Sequence, residues 1–573
     1  MHVTDNNFRL YEFITLNEGL YMHYLFRYYV LVVGLMILSL SSVSSQENRI
    51  IPPDKPGLII TIVIDQMRYD YLFRYWDKLS DNGFRRLVNE GSFCRNAQYN
   101  YLVTQSSAGY ATISTGAMPA THGIIGEEWY QRLKKEKVHC TGDASVQAVG
   151  GTHDQGSHSP RNMLAPTIGD EIKLNSGLRS KVYGVSLKNQ AAILLSGHTA
   201  DAAYWFDPRT GSWMTSSYFT DSLPPWVNEF NRKKIPDIYL TGEWKTLLPV
   251  EQYTESLPDD NAFETGLGSK RTFPYDLSAL STIRKNVRDY SILESTPWGN
   301  TFTKDFAMSL IMNEQLGKDE YTDFLAVNFA SFSRIGYAFG PNSVEMEDTY
   351  IRLDRELGHF LDFLDKEIGK KNVLIVLTSS HGISVDPVYL ENLGVPAGVF
   401  NVKGAMALLN SYLNVHYGSG SWIDGYTGQQ IFLNREMIED SRLSLEEFQS
   451  NVARFMIQFS GVANTITSTT LETTSFNDGI HRKIQNGFNQ KRSGDVIINF
   501  EPGWVLDNDH RSGNNSSYRY DSHVPLVWYG WKIKRMTVYS PVDMTSVAPT
   551  IAFMLNISYP GGSTGQPVED IIE

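Results

Sequence analysis

The sequence predicts an α/β fold: a mostly parallel sheet, covered on both faces, with cap regions inserted into it. Three observations lead there. Residues Leu58–Ile64 read LIITIVI, the continuous apolar and β-branched run of a strand buried on both faces. Comparable runs recur at Lys181–Leu187, Phe324–Phe329, Val373–Leu377 and Val524–Trp528. Between the third and fourth runs, Leu353, Leu357, Phe360, Leu361 and Leu364 repeat at helical spacing. Strands that alternate with helices imply parallel pairing, with helices on both faces.

At 573 residues the chain exceeds the ~250–300 at which one simple core stops growing, so insertions are expected. With 42% hydrophobic and 20% charged residues, it reads as a folded globular protein. Lys and Arg number 50 against 63 Asp and Glu, a net charge of −13. That balance argues against nucleic acid as a partner, because phosphate backbones require clustered cations.

Arg27 precedes an apolar run from Tyr28 to Leu40, and Ser41-Ser42-Val43-Ser44-Ser45-Gln46 follows. This predicts a signal peptide over residues 1–45, cut before Gln46, with Met22 as an alternative start. The run is shorter than the ~20 residues of a bilayer span, so cleavage is favoured over a retained anchor. The expected location is periplasmic or secreted, with no stable membrane span after cleavage. Cys94 and Cys140 are the only cysteines; a disulfide and two buried free thiols both remain open.

Residues from about 200 to 300 break the strand–helix rhythm and are rich in Trp, Tyr and Pro. They read as a cap insertion, and about 415–490 as a second, irregular one. Aromatic excess in a cap also suits contact with a protein partner at the cell envelope.

Ligands of open α/β sheets bind at the carboxyl ends of strands. Asp65 ends the first strand, Lys188 the second, and Ser379-Ser380-His381-Gly382 follows the fourth, while Asp521-Ser522-His523 precedes the last. Asp oxygen and His nitrogen are zinc ligands, so a metal site is one reading; helix caps and structural histidines are the other. Ser106 lies in a small-residue turn before a helix, placed either to meet a phosphate or to cap the helix. His153 and His158 read as members of a polar, solvated loop.

With these residues in view, the chain resembles the alkaline phosphatase superfamily, and most closely the PafA-type enzymes with a threonine nucleophile. The resemblance extends more broadly to type I phosphodiesterases and nucleotide pyrophosphatases. It runs from Leu58 to the C-terminus through VIDQMRYDYL (Val63–Leu72), PATHGIIG (Pro119–Gly126), GVSLKN (Gly184–Asn189), SGHTADAAYWFD (Ser196–Asp207), YAFGPNSVEMEDTYIRLD (Tyr337–Asp354), DSHVPLVWYG (Asp521–Gly530) and APTIA (Ala548–Ala552). It implies a three-layer sandwich and a site where two zinc ions about 3.5–4 Å apart clamp a phosphoryl group. Asp65, His381 and His523 match metal ligands of that site. Ser333, Tyr337 and Ser380 stand where the family has an aspartate, a histidine and an aspartate. Ser106 takes the nucleophile position, Glu127 replaces a phosphate-contacting asparagine, Lys188 is kept and Gln190 replaces an arginine. Zinc serves the family, but this donor set implies at most one metal. The implied reading is a catalytically impaired phosphatase relative that binds a ligand or partner. The alternative is an active phosphate-ester hydrolase using Ser106 with a rearranged metal site through Asp65, Glu127, His381 and His523.

Overall fold

A computed structural model describes residues 54–284, 287–507 and 513–573. The expected signal peptide, Met22 and the cleavage point lie outside the described residues. No described helix is long and apolar enough to cross a membrane.

The central sheet has eleven strands: β1 (Leu58–Ile64), β2 (Ser92–Gln98), β3 (Ala148–Val149), β4 (Val182–Ser186), β5 (Ala202–Asp207), β6 (Ser212–Ser216), β7 (Asp323–Phe329), β8 (Val373–Thr378), β9 (His523–Gly530), β10 (Met536–Val538) and β11 (Val542–Asp543). Their order is β10-β2-β9-β8-β1-β7-β4-β5-β6-β3, with β11 beside β2. From β8 to β5 the neighbours are parallel. The expected last strand, β9, runs antiparallel to both β8 and β2.

β1 shows why this sheet has layers on both sides. Leu58, Ile60, Ile62 and Ile64 enter one core, and Ile59 and Val63 enter the other. Each such side chain contributes about 1.5–3 kcal/mol on burial. Helices α1 (Ser106–Thr115), α2 (Ile168–Asn175) and α3 (Asn189–Ser196) supply side chains to the second core. Helices α4 (Pro297–Asn313), α5 (Ser331–Phe339) and α6 (Val344–Glu367) supply the first. In α6, Leu353, Leu357, Phe360, Leu361 and Leu364 form the buried face that their spacing predicts. The result is the expected three-layer α/β architecture.

The insertion expected to open at about residue 200 opens later, because residues 202–216 contribute β5 and β6 to the central sheet. Their sequences, AAYWFD and SWMTS, lack the β-branched run of an interior strand, although all eleven residues are buried. The aromatics of the stretch about 200–300 are largely packed inward, in the sheet as well as in the cap. Trp213 stacks on Phe306 at 4.3 Å, and the Trp244 indole donates to Asp348 at 2.8 Å. The stretch about 415–490 is not irregular: Ile423–Thr427, Gln430–Leu433, Val462–Thr467 and Val496–Phe500 form a four-stranded sheet over its own core. Strands such as IDGYT and VANTIT are half polar, which hides them from a search for apolar runs. Cys94 and Cys140 are buried free thiols, pushed up to about 12 by burial. His158 is not a solvated loop residue: it is half-buried, its Nδ1 3.1 Å from the Thr141 hydroxyl.

Two carboxyls under the cap carry a pH prediction. Glu345 is fully buried in the first turn of α6, and Glu264 is 4% exposed. Burial raises both above the usual carboxylate range. An acid whose folded pKa is raised stabilises the fold fully below its unfolded value of about 4.3 and loses that contribution as pH rises. The urea midpoint is therefore expected to fall between pH 5 and pH 8, and less steeply in Glu345→Gln. Equal slopes in the two proteins would refute this assignment.

Candidate functional site

The site forms at the carboxyl end of β1, β4, β7 and β8, where chain segments deliver polar side chains to one place. Asp65 follows β1 and is fully buried. Lys188 follows β4 and occupies the position just before α3. Ser333 lies in the first turn of α5, just after β7. Ser380 and His381 follow β8, and Ser106 opens α1. All ten residues of α1 are buried, and its small side chains permit a close approach. A Cβ on Gly109 would sit 2.2 Å from the Ser380 carbonyl oxygen, so only glycine lets α1 bring Ser106 against His381.

Two hydrogen-bonded groups result. In the first, the Lys188 ammonium donates to Asp65 Oδ2 at 2.8 Å and to Ser333 Oγ at 2.6 Å. Tyr110 OH and Asn328 Nδ2 donate to Asp65 Oδ1 at 2.5 and 2.8 Å. The hydroxyls of Ser333 and Ser380 reach Asp65 at 3.3 and 3.4 Å. Burial alone would raise the Asp65 carboxyl, but the Lys188 charge and these donors hold it below the usual carboxylate range.

In the second group, Ser106 Oγ lies 2.8 Å from His381 Nε2, and His381 Nδ1 lies 2.6 Å from the Gly382 carbonyl oxygen. The carbonyl assigns the ring proton to Nδ1, so Nε2 accepts from the serine. Burial lowers His381 to about 4, which keeps it neutral at physiological pH. The Asn514 amide nitrogen sits 2.9 Å from His381 Nε2, and Tyr337 OH donates to Asn514 Oδ1 at 3.0 Å. Burial raises the Tyr337 phenol, which stays protonated.

Asp65, Ser106, Lys188, Ser333, Tyr337, Ser380 and His381 therefore lie in one hydrogen-bonded neighbourhood. Glu127 and Gln190 line the adjoining cavity of about 500 Å³. His523 does not join them. Its Nε2 lies 2.9 Å from the Arg95 carbonyl oxygen, and its ring stacks on Tyr69 at 4.1 Å. The residue that faces His381 from this part of the chain is Asn514. Strand-end patterns do not single it out, nor do they single out Tyr110 or Asn328. Asn514 is followed by Asn515 at φ 126°, a backbone region that favours glycine. An amide in such a loop gives no signal in a search for Asp and His at strand ends. Among the described residues, no three His, Cys, Asp or Glu side chains form a group able to hold a metal ion.

Comparison with known proteins places the chain in a family. The family described as type I phosphodiesterase / nucleotide pyrophosphatase matches residues 59–524. The alkaline phosphatase PafA of Elizabethkingia meningoseptica is 38% identical over 546 residues, 94% of this chain and 98% of that one. The alkaline phosphatase PhoV of Synechococcus elongatus is 36% identical over 552 residues, 95% of this chain and 99% of that one. The crystal structure of wild-type PafA superposes with a TM-score of 0.86 at 38% identity, covering 91% of this chain and 99% of that one. From the matched length and the shared architecture, the chain belongs to the type I phosphodiesterase/nucleotide pyrophosphatase family, on its alkaline phosphatase branch.

Proposed function

We propose that this protein is a catalytically impaired alkaline phosphatase relative of the cell envelope, whose cleft binds a ligand or partner without hydrolysing it. The Lys188 ammonium between Asp65 and Ser333 carries this reading. It supplies the positive charge that balances Asp65, in a family whose members use metal ions for that purpose. The donor set does not fit a pair of zinc ions. Among the described residues, Asp65, His381 and Glu127 are the ligand-type side chains of this cleft; they form no group able to hold a metal ion, and Asp65 already accepts from an ammonium, a phenol and an amide. Zinc takes four ligands, or three and a water, and neutral Ser, Tyr and Asn side chains are weak substitutes for carboxylate and imidazole. Since His523 faces Arg95, a rearranged site through it loses a ligand.

The Ser106–His381 hydrogen bond favours a second reading, an ester hydrolase in which Ser106 is the nucleophile. One pair of measurements separates the two. Protein equilibrated with micromolar zinc is expected to retain well under one zinc per chain by elemental analysis. It is also expected to turn over p-nitrophenyl phosphate no faster than its Ser106→Ala variant. Two zinc ions per chain, or turnover that Ser106→Ala abolishes, would overturn the non-hydrolytic reading.

A further inference from the structure

We infer that the cavity beside Ser106 is a binding site for a neutral polyhydroxylated ligand, a sugar or polyol, rather than for a phosphate ester. The inference rests on the non-hydrolytic reading and names the ligand of the same cleft.

Charge is the first argument. Among the described residues, Lys188 and Arg334 are the two cations that line the cavity, and both are engaged: Lys188 with Asp65 at 2.8 Å, Arg334 with Glu294 at 3.5 Å. The Glu127 carboxylate also lines the cavity and has no hydrogen-bond or ion-pair partner of its own among the described residues. Among the described residues, a phosphate dianion placed here would meet an unpaired carboxylate and two cations that each already face a carboxylate, an arrangement that costs binding energy.

Hydrogen-bonding capacity is the second. Six amide side chains line the cavity: Gln105, Gln155, Asn189, Gln190, Asn514 and Asn515. Gln105, Asn189 and Asn514 are held by internal bonds. The Gln155 and Gln190 amides form none among the described residues, and the buried Asn515 Oδ1 has no partner. Each free amide offers both donors and an acceptor, and a carboxylate adds acceptors; this is the complement of vicinal hydroxyls. A simple amine would use Glu127 but leave these amides without a ligand partner, which is costly for the buried Asn515 Oδ1.

Shape is the third. The volume of about 500 Å³ lies within the ~300–1,000 Å³ of small-molecule sites, and Trp205, Phe206 and Tyr337 give it an apolar wall against which the C–H face of a sugar ring can pack.

The test is calorimetric titration of the mature full chain with glucose, galactose, N-acetylglucosamine and myo-inositol, with inorganic phosphate as competitor. At least one neutral ligand is expected to bind saturably, to lose about tenfold in affinity in Gln190→Ala, and to resist displacement by phosphate. Gln190 is half-exposed, and a melting temperature unchanged by the substitution verifies that the variant folds. Absence of binding by all four, displacement by phosphate, or affinity unchanged in both Gln190→Ala and Gln155→Ala would overturn the inference. Assaying the same samples with p-nitrophenyl phosphate keeps the two claims apart: turnover sinks the non-hydrolytic reading, whereas the sugar inference falls only on the titration.

Discussion

Replacing Lys188 by Met is expected to lower the unfolding free energy at neutral pH by about 3–5 kcal/mol, the range for removing one partner of a buried ion pair. Asp65 bears this loss without help from solvent, because it is fully buried and Lys188 is only 20% exposed. The pH dependence identifies the cause. In the native chain the Asp65 pKa is lowered, so its stabilising contribution is present above the unfolded value of about 3.9 and is lost as pH falls through the folded value. Without Lys188, burial dominates and the folded pKa rises. The carboxyl then favours the fold at low pH and opposes it as pH increases. The penalty of Lys188→Met, read from urea midpoints, should be larger at pH 7.5 than at pH 4.5. Equal penalties at the two values would assign the effect to lost packing and leave the internal cation without support.

The second large effect concerns Ser333 and Ser380, whose hydroxyls lie 3.3 and 3.4 Å from the two oxygens of Asp65. The double variant Ser333→Asp with Ser380→Asp is expected to make stability depend on zinc. In chelator, two added carboxylates beside a buried one repel each other, and the melting temperature falls. With zinc they become ligands together with Asp65 and His381, the number a zinc site requires. A metal that binds only the folded state restores about 2.7 kcal/mol at a hundred times its dissociation constant. The native chain should show no comparable zinc response. If zinc shifts the melting temperatures of variant and native chain equally, these serines do not line a former metal site.

Much of this site is legible in the amino-acid sequence. A strand buried on both faces announces itself by an unbroken apolar run, and the residue after its end lies at the ligand-binding edge of a parallel sheet. That logic locates Asp65, Lys188 and His381 from β1, β4 and β8. The same logic fails for His523. A residue next to a strand is placed along the strand axis, but the direction of its side chain depends on its neighbours. Here Tyr69 and the Arg95 carbonyl hold the imidazole. Asn514 reaches His381 across 133 residues of sequence through an irregular loop, and no local pattern encodes such a contact.

The layered α/β architecture is written in the chain itself, because the period and composition of its strands and of α6 state which faces must be buried. So are the side-chain types at Ser333 and Ser380, since a serine cannot supply a carboxylate wherever it lies. Three outcomes belong to the packed interior. β5 and β6 extend the central sheet, Cys94 and Cys140 stay apart as free thiols, and Lys188 closes on Asp65. Each depends on distances between segments far apart in the chain. Burial strengthens such interactions by removing competing water, so tertiary packing, and not the local sequence, selects which partners meet.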